Sequence, residues 1–173
     1  MSMKRDLLVV GDIRGCPKVF EPLVRFEHRN LHLADVSGRP DLSGEELHNH
    51  LFKGDGLERA VQSLREEGPS CLGIGFSAGG TALWHAVKAG LNLQALICIS
   101  STRLRFEVYP LHIPTLVIWG ECDPNRPDDT WNDAVPSCSQ TYAAKPHDFY
   151  CADIANPGSD LRKDIAAFIE RAM

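Results

Sequence analysis

The run Cys71-Leu72-Gly73-Ile74-Gly75-Phe76-Ser77-Ala78-Gly79 constrains the fold more than any other stretch of the chain. An apolar segment, a serine with glycine two places before and two places after it, and a helical stretch from Thr81 to Lys88 follow one another without a break. A strand that turns into a helix at a single residue holds that residue in a strained conformation and projects its side chain from the sheet edge. The flanking glycines remove side chains that would collide as strand and helix pass. A helix beginning at Ala78 aims free N–H groups and a positive dipole end at any oxyanion formed at Ser77. Alone, the same pentapeptide serves as a tight turn with a helix-capping serine, so the rest of the chain has to decide.

Apolar runs at residues 7–10, 71–76, 93–100 and 115–119 read as buried strands, with 31–36 as a second strand and 139–144 as a weaker last one. Helical character is expected at 19–26, 57–67, 78–89, 128–135 and 161–171. Residues 41–56 are polar, contain two histidines, and read as a loop with about one helical turn. Strands that are nearly continuous in apolar residues and alternate with helices predict an α/β chain: a mainly parallel sheet of about six strands covered on both faces, a three-layer sandwich. At 173 residues, 1–173 is expected to form one domain.

The net charge of −5, with no basic run, argues against nucleic acid as a partner. Apolar runs such as residues 96–99 are too short to span a membrane, and the N-terminus lacks a signal peptide's apolar segment, so a cytoplasmic protein without a membrane partner is expected. The six cysteines form no C-x-x-C pair and no zinc spacing, and read as free thiols.

A nucleophilic serine needs a base, an acid to orient that base, and an oxyanion hole. Asp123 follows the apolar run 115–119 through Gly120-Glu121-Cys122, which places it past the carboxyl end of a strand, where sites form in open α/β sheets. Glu121, Asp128 and Asp129 are the alternative acids. His147 lies in a loop past the weak last strand and is the only histidine after Asp123. Ala78, the residue after the serine, supplies the first oxyanion N–H.

The order Ser77, Asp123, His147 resembles that of the α/β-hydrolase superfamily, as do the segments 113–124 and 147–149. The resemblance covers nearly the whole chain. It implies a serine hydrolase acting on a small-molecule acyl substrate through an acyl-enzyme, with no metal and no organic cofactor. It puts the second oxyanion donor in the loop after the first strand, at the N–H of Asp12 or, next, Ile13. Many relatives carry His-Gly where this chain has Val10-Gly11. A carboxylate at Asp12 opposes an oxyanion unless Arg14 offsets it or it points away. Arg14 and Phe76 are the candidate substrate-binding side chains, while Arg103 and Arg105 fall beside the site and read either as a preference for anionic substrates or, the favoured reading, as solvated surface. Only residues 101–114 separate two strands where relatives often insert a cap, so a minimal capless fold with an open site is expected. Small capless relatives resemble dienelactone hydrolases, which often carry Cys in place of Ser77.

Two other readings remain. The same fold can act as a catalytically silent binding protein. Residues 10–16 also resemble the first metal-binding motif of calcineurin-like metallophosphoesterases, and 53–59 faintly their second. There, however, Arg14 replaces a ligand histidine and no Gly-Asn-His segment follows.

Overall fold

The computed structural model describes residues 5–18, 20 and 23–173. Six strands form one parallel sheet: β1 (Asp6–Val10), β2 (Glu27–Leu31), β3 (Ser70–Phe76), β4 (Leu93–Ile99), β5 (Thr115–Gly120) and β6 (Cys138–Tyr142), in the order β2-β1-β3-β4-β5-β6. The central strands are buried along almost their whole length, while β2 and β6 at the edges are polar and half exposed.

Alternation along each strand builds two cores. Leu8 and Val10 of β1 face one side, packed with residues of α1 (Leu33–Val36), α2 (Gly44–Lys53), α3 (Gly56–Glu66), α4 (Ala78–Lys88) and α5 (Asp129–Ala134). Leu7 and Val9 face the other, packed with α6 (Phe149–Ala155) and α7 (Asp160–Ala172). The result is the three-layer α/β sandwich that the pattern predicts. Residues 100–114, between β4 and β5, hold only a short 3-10 turn at Leu104–Phe106 and no cap. Among the described residues no helix is long and apolar enough to cross a membrane.

Two expectations fail. The second strand is not 31–36 but Glu27–Leu31, and residues 33–36 form α1 instead. An edge strand buries little, so it need not look apolar. The polar segment 41–56 is mostly helix: Leu47 and Leu51, four residues apart, bury one face of α2 and leave its charged residues outside. The helix expected at 19–26 falls partly outside the described residues, and Leu23 to Arg25 form turns. Helix α6, directly after His147, was not anticipated.

Candidate active site

Ser77 joins β3 to α4 with φ 50° and ψ −123°, the strained turn its flanking glycines require. A Cβ on Gly75 would lie 2.4 Å from the Cα of Gly80 in α4. The Ser77 N–H donates to the Ile99 carbonyl (2.8 Å), which pins the turn to the end of β4.

Around this turn the carboxyl ends of β5 and β6 deliver the other two groups. Asp123, 4% exposed, accepts at Oδ2 from His147 Nδ1 (2.8 Å), while its Oδ1 accepts from the Asn125 N–H (2.8 Å). His147 Nε2 lies 3.0 Å from Ser77 Oγ. A carboxylate only accepts hydrogen bonds, so Nδ1 donates to Asp123, and in that tautomer Nε2 accepts from Ser77 Oγ–H. The histidine loop is held against the end of β5, where the Cys122 N–H donates to the Lys145 carbonyl (2.9 Å).

The alternative acids are occupied elsewhere. Glu121 accepts from the Ala144 N–H (2.8 Å), Asp128 caps α5 through the Trp131 N–H (2.9 Å), and Asp129 pairs with Arg126 at the surface. Of the earlier histidines, His50 meets the Ser37 carbonyl and His85 pairs with Glu107.

The loop after β1 can be accounted for donor by donor. The Gly11 N–H reaches the Leu31 carbonyl (3.3 Å), and the Asp12 N–H reaches the Gly15 carbonyl (2.8 Å). The N–H groups of Arg14 and Gly15 both reach Asp12 Oδ1 (2.7 and 3.1 Å). Within residues 11–15, only the Ile13 N–H has no partner among the described residues. The Asp12 carbonyl accepts weakly from the Gly15 N–H (3.3 Å), and in a trans peptide the Ile13 N–H points the opposite way. Asp12, the first-favoured donor, is thus already engaged through its N–H, and Ile13 is the open one.

The Asp12 carboxylate does turn aside, though not toward the Arg14 guanidinium: Oδ2 accepts from Tyr150 Oη (2.5 Å). Burial first, and Asp12 second, push the Cys16 thiol up to about 11, and the same two causes raise the Cys151 thiol. Burial and then the hydrogen bond to Asp12 hold the Tyr150 phenol far above its ordinary range.

A cleft of about 1050 Å³ opens over Ser77 and His147 and is lined by Asp12, Ile13, Arg14 and Tyr150 among others. Arg14 is exposed at its wall. Phe76 corrects an expectation: alternation along β3 turns its ring into the core beneath α6 and α7, where it is 2% exposed and lies 5.2 Å from the Tyr150 ring. It does not face the cleft. Arg103 packs over the Phe52 ring and Arg105 donates to Asn125 Oδ1 (3.0 Å), both outside the cleft lining.

Two residues escaped the sequence reading. Thr102, just past the end of β4, places Oγ1 3.1 Å from Ser77 Oγ. Its position past a strand's carboxyl end is the signal that finds it. Tyr150 lies in the helix that was not anticipated.

Asp12 and Asp55, the aspartates of the two metal-motif-like segments, line different clefts, and Asp55 is paired with Arg59 (2.6 Å). Among the described residues no group of three or more His, Cys, Asp or Glu gathers to hold a metal.

No family model matches the chain, and no curated protein matches it. Solved structures do. The alpha/beta hydrolase enzyme MGS-MChE2, from the metagenome of lagoon sediments at Mar Chica, Morocco, aligns with a TM-score of 0.64 at 16% identity, over 98% of this chain and 93% of its own. A predicted CIB-like hydrolase from Thermoplasma acidophilum gives 0.66 at 14%, over 99% and 89%. A Pectobacterium atrosepticum protein, provisionally described as a YdeN-like hydrolase, gives 0.63 at 19%, over 99% and 94%. At these identities the likeness is one of fold: the chain has the α/β-hydrolase fold, and its structural neighbours are hydrolases.

Proposed function

We propose that this chain, built on the α/β-hydrolase fold, is a serine hydrolase that cleaves a small acyl ester, thioester or lactone. The observation that carries the reading is the unbroken relay from Ser77 Oγ to His147 Nε2 (3.0 Å) and from His147 Nδ1 to Asp123 Oδ2 (2.8 Å). Both distances fit a nucleophile, its base and the group that orients the base.

In this reading His147 takes the Ser77 proton as Oγ attacks the acyl carbonyl. The oxyanion is met by the N–H of Ala78, at the start of α4, and by the unpaired N–H of Ile13. Asp123 fixes the tautomer and stabilises the imidazolium. The imidazolium returns its proton to the leaving alcohol or thiol. His147 then activates water, which hydrolyses the acyl-enzyme and restores Ser77. The open cleft without a cap favours short acyl chains, and Arg14 is one of the charged side chains at its wall that a substrate would meet.

The test is labelling of the folded protein by a fluorophosphonate, together with hydrolysis of acyl esters of rising chain length. Labelling that disappears in Ser77→Ala is the expected result. A folded wild-type protein that stays unlabelled while a control serine esterase reacts would overturn the reading and leave the silent scaffold.

A further inference from the structure

Asp12 poses a problem for a hydrolase, because a carboxylate beside an oxyanion hole opposes the charge that develops there. We infer that the Asp12 side chain, tethered by Tyr150, is a positioning residue that keeps the Ile13 N–H free and fixed for the oxyanion. The inference rests on the serine hydrolase reading.

The geometry carries it in three steps. Asp12 Oδ1 collects the N–H groups of Arg14 and Gly15, so the turn after Ile13 closes on the Asp12 side chain. The Ile13 carbonyl is taken by the Gly44 N–H at the start of α2 (2.9 Å), so the next peptide is held at both ends. With its neighbours occupied, the Ile13 N–H is the donor left over. Finally, Tyr150 Oη fixes Oδ2 (2.5 Å) from α6, three residues beyond His147.

Tyr150 therefore joins the loop that would bind the oxyanion to the loop that carries the base. Its ring is buried against Phe76 and Phe149 and meets the His147 ring edge-on, with centroids 6.5 Å apart. The carboxylate spends three of its acceptor sites on these donors, which directs its charge into the loop.

The experiment compares Tyr150→Phe, Asp12→Asn, Asp12→Ala and the Tyr150→Phe/Asp12→Ala double variant with the wild type. The readouts are kcat, KM and the affinity for a boronic acid that forms a tetrahedral adduct with serine. Tyr150→Phe keeps the ring packing and loses only the hydroxyl. It is expected to lower kcat about tenfold with KM within about twofold, and to weaken the boronate by about the same factor. Asp12→Ala is expected to lose roughly a hundredfold. Asp12→Asn, whose carboxamide oxygen still accepts the two N–H groups, should fall between the wild type and Asp12→Ala. The double variant should be no worse than Asp12→Ala, because the Tyr150 hydroxyl acts through Asp12.

A purely structural role would lower melting temperature without moving boronate affinity in step with kcat. Folded Tyr150→Phe with kcat and boronate affinity within about twofold of wild type overturns the inference and leaves the hydrolase reading standing. Additive losses in the double variant also overturn it. A wild type that neither hydrolyses esters nor reacts with the fluorophosphonate overturns both.

Discussion

Gly79 in the first turn of α4 passes so close to Gly11 at the end of β1 that a Cβ on Gly79 would sit 2.2 Å from the Gly11 carbonyl oxygen. The Val10 carbonyl oxygen would be only 2.5 Å away. The second glycine of the pentapeptide thus brings the serine turn against the neighbouring strand that leads into the Asp12–Gly15 loop, whereas the first, Gly75, admits the helix to its own strand.

Both atoms that a methyl at Gly79 would meet are backbone, so neither can rotate away. Gly79→Ala is expected to destabilise the fold by about 1–3 kcal/mol, as overpacking does in a tight core. It should also slow fluorophosphonate labelling, because relief requires α4 to move from β1. Gly158→Ala is the control, since the nearest atom there is a side-chain oxygen 3.7 Å from the Cβ position, and it should stay within about 0.5 kcal/mol. Urea denaturation of both variants checks the pair. Equal stability would show that the contact is not limiting.

Asp123→Asn keeps the shape of the acid but presents an amide to His147 Nδ1. A carboxamide that donates there drives the imidazole into the wrong tautomer, and kcat should fall by roughly 10³–10⁴. Glu121→Gln touches only the Ala144 turn, which has φ 57° and is held by the Glu121 side chain. Its activity should stay within about threefold, with a stability loss of about 1 kcal/mol. Steady-state kinetics on the two variants separates the acids, and a large loss in Glu121→Gln would reassign the orienting group.

Much of this was legible in the sequence because central parallel strands are buried on both faces and must be apolar. The runs 71–76, 93–100 and 115–119 announce themselves for that reason, and the serine turn between the first of them and α4 follows from its glycines. Edge elements carry no such requirement. Glu27–Leu31 is a strand through its backbone pairing with β1, and its side chains record only a half-exposed position. The approach of Asp123 and His147 to Ser77 was visible as order and strand-end position. The tie between Asp12 and Tyr150 was not, since it spans 138 residues and depends on a helix whose Phe, Tyr and Cys gave no helical signal. Phe76 continues the alternation of Leu72 and Ile74 along β3, so the strand pattern already points its ring into the core rather than the cleft.

Cys16 lines the cleft, and its raised value of about 11 leaves it protonated at neutral pH. At pH 8 only about one molecule in a thousand carries the thiolate. Iodoacetamide should therefore modify Cys16 slowly at pH 8, with the rate climbing about tenfold per pH unit until the pH nears the thiol's own value. The charge on Asp12 adds to the effect of burial, so Asp12→Asn should lower the pH at which alkylation sets in. Peptide mass spectrometry across a pH series reads both. Rapid alkylation at pH 7 would contradict the raised value of this half-buried thiol.

Ser77 Oγ has one proton and two hydroxyl-range partners, His147 Nε2 at 3.0 Å and Thr102 Oγ1 at 3.1 Å. With that proton committed to Nε2, Thr102 must be the donor to Ser77 Oγ. If Ser77 is the nucleophile, such a donor would favour negative charge on Oγ as the proton departs. The Thr102 carbonyl accepts from Thr81 Oγ1, which holds the residue in place without its hydroxyl. Thr102→Val, close in shape, is expected to slow fluorophosphonate labelling about tenfold at nearly unchanged stability. Thr102→Ser should stay within about twofold of wild type. Labelling rates measured beside thermal melts decide the matter: if Thr102→Val labels as fast as wild type, the hydroxyl is a bystander and Ser77 is activated by His147 alone.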